Sequence, residues 1–340
     1  MKTIVLLLLL SLSAFAQKTE SHPVENLVFE GAGIRGIAYS GVIKELEGRG
    51  IMGGIQKVGG TSAGAITAMM VSLGYNSDEI YRIISETKFQ KFNDGEMMFA
   101  GGIYRLCHRF GWYRGDAFNR WLEKLIAAKT GNSDITFKEL AQRGSKQLYV
   151  TGTCLNRQKL VVFSAETYPN MKIKDAVRIS MSVPLYFEAV FIDGDGKVYK
   201  NLKQQKGLDI VVDGGITGNF PIFLFDSIAT DASGKEIRLP NPKTLGVRID
   251  SDSQIAKDNG DKELAEIDID DLSDYMQAFY ILTLENLNRN QLIPEDWDRT
   301  ISVSDTGIGP KVKRMSEKQK QALIKSGEAN TKHFLENMEL

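Results

Sequence analysis

Cysteine and histidine are both scarce. The 340 residues hold two cysteines, Cys107 and Cys154, and three histidines, His22, His108 and His333. Two cysteines exclude a disulfide-stapled scaffold. Cys154 sits in the apolar, strand-like run 148–155, where a buried free thiol is the expected state rather than a Cys107–Cys154 disulfide. Basic and acidic residues nearly cancel, 42 against 43, for a net charge of −1. No field of one sign is present to draw nucleic acid. Metal and nucleotide signatures are missing as well: there is no H-E-x-x-H, paired C-x-x-C or P-loop. Asp193-Gly194-Asp195-Gly196 hints at a calcium loop, but Lys197 and Gln204 stand where carboxylates are required. A solvated β-turn is expected there, and no cofactor.

The apolar run at 4–12, broken only by Ser11, falls far short of the ~20 residues a membrane-spanning helix needs. With Lys2 before it and Ala14-Phe15-Ala16 after it, residues 1–16 read as an export signal. The expectation is a periplasmic or secreted chain starting near Gln17, with 17–25 as a linker. The remaining length, in a chain that is 42% apolar, suffices for one large domain: a core over 26–225 and its remainder over 226–340.

Two glycine-framed turns dominate the N-terminal third. Gly31-Ala32-Gly33-Ile34-Arg35-Gly36 follows an apolar strand at 26–30 and precedes a helix at 37–47. Gly60-Thr61-Ser62-Ala63-Gly64 follows a strand at 56–59 and opens a small-residue helix at 63–73. Strand–turn–helix repeated in this way predicts an α/β fold with a mainly parallel sheet and helices on both faces. Further helices are expected at 77–87, 116–128, 174–180 and 272–287, and a polar, exposed one at 315–335. Further strands are expected at 147–152, 160–164, 209–212, 244–249 and 300–303. Residues 88–115 read as less regular, rich in aromatics, methionine and arginine.

In a G-x-S-x-G elbow the serine adopts a strained backbone, while the flanking glycines let strand and helix approach. Ser62 is therefore a candidate nucleophile. The first turn also matches the dinucleotide fingerprint G-x-G-x-x-G, which requires an acidic residue at the end of the next strand. That strand ends in Val58-Gly59-Gly60-Thr61, without a carboxylate. Backbone amides of the first turn are better read as donors to a tetrahedral oxyanion. The nucleophile needs a base, yet no histidine lies at a strand end or in a glycine turn. Asp213, carried by Ile210-Val211-Val212 into Gly214-Gly215, is either that base or an ordinary Asp-Gly turn.

Together these residues resemble the patatin-like phospholipases. Residues 27–39 with their glycine turn, then Gly60-Thr61-Ser62-Ala63-Gly64, then Ser180-Met181-Ser182-Val183-Pro184, then Asp213-Gly214-Gly215 with Asn219-Phe220-Pro221, match four signatures in order. The resemblance implies a modified α/β-hydrolase sheet in a three-layer sandwich and hydrolysis of lipid acyl esters. It maps the nucleophile to Ser62, the base to Asp213 and the oxyanion loop to Gly31, Ala32, Gly33, Ile34, Arg35 and Gly36. Many members carry glycine where this chain has Ala32; a positive φ there would cost ~1 kcal/mol or more. Phospholipid at a membrane or micelle surface is the implied partner. A carboxylesterase for short soluble esters and a catalytically idle lipid binder are the alternatives.

Two lesser features stand beside these. Met97, Met98, Phe99, Tyr104, Leu106, Phe110, Trp112 and Tyr113 alternate with Arg105, Arg109 and Arg114, as either an interfacial lid or a cap on the core. Arg35 either meets a lipid phosphate or projects to solvent.

Overall fold

The computed structural model describes residues 24–95, 98–231, 233–260, 263–289, 291–309 and 314–338. The export signal expected at 1–16, His22, Met97 and the side chain of Met98 lie outside them.

The strands in chain order are β1 (Asn26–Phe29), β2 (Lys57–Gly60), β3 (Gly111–Tyr113), β4 (Gln147–Cys154), β5 (Lys159–Phe163), β6 (Leu185–Phe187) and β7 (Val190–Ile192). They continue as β8 (Val198–Tyr199), β9 (Asp209–Asp213), β10 (Ser227–Thr230), β11 (Glu236–Leu239), β12 (Thr244–Asp250) and β13 (Thr300–Ser304). The helices are α1 (Ala38–Gly48), α2 (Ala63–Ser72), α3 (Ser77–Glu86), α4 (Met98–Arg109), α5 (Asp116–Thr130) and α6 (Phe137–Gln142). After them come α7 (Ile173–Ser180), α8 (Gly215–Gly218), α9 (Asp252–Asn259), α10 (Leu272–Arg289), α11 (Pro294–Trp297) and α12 (Glu317–Asn337).

The main sheet runs β13-β12-β1-β2-β4-β9-β7-β8, with β5 paired to β4. From β13 to β4 every neighbour is parallel, as the repeated strand–turn–helix pattern predicts. Both glycine turns belong to that half. Phe29 pairs with Gly60 across β1 and β2, so the glycine turn after one strand and the serine elbow after the other leave the same sheet edge side by side. The β9 half is antiparallel, and this decides where Asp213 arrives. Val150 on β4 is level with Gly60, and Gly152, two residues farther on, pairs with Asp213. Strand β9 thus enters from beyond the carboxyl edge and stops at the height of Ser62.

Burial follows composition. Helix α2 is apolar on every side and buried along its whole length. Helix α3 shows a single buried stripe and is fixed at its start by an Asn76–Glu79 capping box. Cys154 is a buried free thiol and Cys107 an exposed one; they form no disulfide. The Asp193 turn between β7 and β8 is a β-turn in which Asp193 Oδ1 accepts the amides of Asp195 and Lys197.

Two expectations are corrected. Residues 88–115 are not irregular throughout: α4 and β3 occupy most of the segment, and Gly102 of α4 sits against the Trp112 ring, where a Cβ would come within 2.6 Å. Helix α12 is not an exposed appendage. It buries Leu323, Ile324, Gly327, Thr331 and Leu335 and packs along α1. The two backbones meet at glycines, since a Cβ on Gly41 would lie 2.1 Å from Ile324 O and one on Gly327 2.3 Å from Ala38 O.

Candidate active site

Ser62 lies between β2 and α2 with φ 53° and ψ −120°. A non-glycine residue there is strained, and persists only where its surroundings hold it. Five contacts do so. Ser62 N–H donates to Ser180 Oγ at 2.8 Å. The buried Thr61 hydroxyl bonds Thr151 Oγ1 at 2.6 Å and Gly218 O at 2.8 Å, tying the elbow to β4 and to α8. Gly64 allows the close approach: a Cβ on it would lie 2.4 Å from Phe29 O. The Ser62 hydroxyl donates to Met181 Sδ at 3.3 Å.

Asp213, at the end of β9, is 3% exposed. Burial pushes its carboxyl up to about 7, against the pull of the Gly215 amide and the Ser62 hydroxyl beside it. The Gly215 N–H donates to Asp213 Oδ1 at 2.7 Å. Gly214 packs against Thr151, where a Cβ would meet Oγ1 at 2.4 Å. Those two glycines hold the carboxylate in place rather than merely turning the chain.

The first glycine turn lies against Ser62. A Cβ on Gly31 would approach Ser62 Cβ to 3.3 Å. Ala32 has φ −130°, so its side chain causes no strain; the positive φ, 54°, falls on Gly33. The Gly31 amide donates to Asn219 O at 3.0 Å and the Arg35 amide to Ala32 O at 3.2 Å. Of the six positions, Gly33 to Gly36 form the first turn of a 3-10 segment (Gly33–Ile37) leading into α1. Arg35 does not project freely to solvent: it pairs with Asp305 at 3.4 Å. Glu30, just before the turn, is pushed by burial to about 8, with Arg248 opposing. Tyr39 bonds its carbonyl at 2.6 Å.

Beside Ser62 opens an apolar cleft lined by Gly33, Ala63, Phe92, Phe118, Met181 and Tyr186 among others. The described histidines stand elsewhere. His108 stacks on Tyr104 and His333 contacts Asn337. Among the described residues no cluster of His, Cys, Asp or Glu is arranged to hold a metal ion.

Several participants carry no assigned role in the sequence. Ser180, Met181 and Asn219 lie inside the matched signatures, so proximity to Ser62 and Asp213 in motif order is their only signal. The aromatics Phe89, Phe92 and Phe118 of the cleft wall announce themselves only as local aromatic density.

Comparison with known proteins bears on the family and the fold. A 27% identical protein of Acanthamoeba polyphaga mimivirus aligns over 92% of this chain and 93% of its own length. A probable lipid hydrolase of Invertebrate iridescent virus 6 is 27% identical over 58% of this chain, which spans 62% of that protein. VipD from Legionella pneumophila shares the fold, with a TM-score of 0.57 at 16% identity over 93% of this chain and 67% of its own. The family model described as patatin-like phospholipase matches residues 27–226, and with more than half of its length so matched the chain belongs to the patatin-like phospholipase family.

Proposed function

We propose that this protein hydrolyses acyl esters of membrane lipids, phospholipids or lysophospholipids, through a Ser62–Asp213 dyad. One observation carries the reading. A serine in a strained elbow stands beside a buried carboxyl whose pKa is raised to about 7, next to an apolar cleft lined by Ala63 and Met181. A general base works best with its pKa near the operating pH, and burial supplies that here.

The chemistry runs in two halves. The Asp213 carboxylate takes the hydroxyl proton as Ser62 Oγ bonds to the ester carbonyl carbon. The carbonyl oxygen becomes an oxyanion. With the Gly31 and Arg35 amides already engaged, its donors are the amides of Ala32, Gly33 and Ile34. Collapse of the adduct breaks the bond to the alcohol or lysolipid, which leaves with the proton from Asp213. Water then gives a proton to Asp213 and attacks the acyl-serine, releasing fatty acid and restoring the hydroxyl. The acyl chain occupies the cleft walled by Phe92, Phe118 and Met181, whose apolar surface suits hydrocarbon.

The lipid surface meets α4. Phe99, Ile103 and Tyr104 on that helix are 73%, 45% and 60% exposed. Such apolar exposure on one helix fits insertion at headgroup depth. Trp112, by contrast, is packed behind Phe99.

The test is fatty acid release from phospholipid vesicles. Ser62→Ala and Asp213→Ala should each remove nearly all of it while circular dichroism stays native. Substantial turnover by a well-folded Ser62→Ala protein rules the scheme out.

A further inference from the structure

Two loops must be held in register for the proposed reaction: the one carrying the oxyanion donors and the one carrying Asp213. They are joined through two asparagines. Asn219 grips Gly31 from both sides of its residue. Its carbonyl accepts the Gly31 amide at 3.0 Å, and its Nδ2 donates to Gly31 O at 3.1 Å. The fit leaves no slack, because a Cβ on Gly31 would fall 2.2 Å from Asn219 Oδ1 and one on Gly215 3.1 Å from it.

Asn219 is itself held from a distant part of the chain. Its amide donates to Asn288 Oδ1 at 2.5 Å. The other end of the same side chain, Asn288 Nδ2, donates to Gly215 O at 3.2 Å. Gly215 in turn donates its N–H to Asp213. One primary amide, 6% exposed near the end of α10, therefore links Gly31–Asn219 on one side to Gly215–Asp213 on the other.

We infer that Asn288, which lies outside residues 27–226 and hence outside the part shared with the family model, is a positioning residue that sets the oxyanion loop and the base loop relative to each other. The inference rests on the Ser62–Asp213 reading. Its physical content is geometric: an amide offers an acceptor and a donor in one plane, and both are used here on backbone groups of reacting loops. Displacing such groups by about 1 Å is enough to cost on the order of 10²-fold in rate.

The experiment compares Asn288→Ala, Asn288→Asp and, as control, Gln291→Ala, whose lost bond is to Thr217 O on the outer side of α8. Steady-state turnover of a soluble ester is followed from pH 5 to 9. Asn288→Ala should lower kcat by about 10–100-fold with KM within about twofold. Its acidic limb should also move to higher pH, because a loosened Gly215 amide holds the Asp213 carboxylate less well. Asn288→Asp keeps the acceptor for Asn219 and loses the donor to Gly215. It should show the displaced limb with a smaller fall in kcat. Gln291→Ala should behave as wild type. Glu30, which Asn219 Nδ2 contacts at 3.3 Å, also titrates in this range, so Glu30→Gln is placed in each background to assign the limb to Asp213.

Wild-type kcat and limb in Asn288→Ala overturn the inference. So does a fall in kcat that merely follows the folded fraction with the limb unmoved. Should Asn288→Ala fail to fold, an Asn288→Asp protein with an unmoved limb overturns it equally. An inert Ser62→Ala beside a normal Asn288→Ala defeats the positioning role alone; an active Ser62→Ala defeats the dyad itself.

Discussion

Replacing Asp213 by asparagine should make the protein more stable while removing its activity, and the gain should depend on pH. The carboxyl titrates at about 7 in the fold and near 3.9 in the unfolded chain. The direction of that shift sets the sign. An acid with a raised folded pKa stabilises only while protonated, so its contribution is complete below pH ~3.9 and is lost as pH climbs through 7. Integrating between the two values gives a penalty of about 1.5 kcal/mol at pH 5 and about 4 kcal/mol at pH 8. Asparagine has no such proton to lose and keeps an oxygen for the Gly215 amide. The advantage of Asp213→Asn over wild type should therefore grow by about 2–3 kcal/mol between pH 5 and pH 8. Urea unfolding of both proteins at the two pH values measures it, and packing differences that do not titrate cancel in the comparison. An equal difference at both pH values refutes the claim that burial holds this carboxyl near neutrality.

Close contacts and exposure set the other expected outcomes. Gly64→Ala places a methyl 2.4 Å from Phe29 O and 2.5 Å from Glu30 O, so it should cost about 1–3 kcal/mol and lower esterase turnover by an order of magnitude or more by shifting Ser62. Unfolding curves and ester assays report the two effects separately. Gly327→Ala should destabilise by a similar amount through contact with Ala38 O. Were α12 a solvated helix, the same change would stabilise by about 1 kcal/mol, so the sign of the melting shift decides. The pair Phe99→Ser and Tyr104→Ser should weaken vesicle binding in a flotation assay while turnover of a short nitrophenyl ester stays within about twofold. Undiminished vesicle binding would remove α4 from the lipid-facing surface.

Legibility in the sequence differs by element. The glycine turn, the serine elbow and the parallel strands that carry them are readable, because glycine spacing and apolar runs are local signals. The direction of β9 is not. Ile210-Val211-Val212 reads the same whether the strand runs up or down, and only its pairing with β4 brings Asp213 level with Ser62. Helix α12 looks exposed in sequence because the face it buries is narrow and includes Gly327 and Thr331, neither of which signals burial. Helix α4 is hidden by Gly101 and Gly102, which read as breakers until Trp112 is seen lying on the second. Ala32 suggests strain, but the turn assigns its positive φ to Gly33. Asn288 has no signal at all: a single polar residue near the end of a long helix gains meaning only from Asn219 and Gly215 beside it.

The central claim is that Ser62 attacks and Asp213 takes its proton. The most direct measurement is the rate at which a fluorophosphonate labels the protein as a function of pH, with the adduct mapped by peptide mass spectrometry. The account predicts a single adduct on Ser62, forming about tenfold faster at pH 8 than at pH 6 as Asp213 ionises, and hardly at all in Asp213→Asn. An adduct on another residue, or a Ser62 labelling rate that ignores both pH and Asp213, contradicts it.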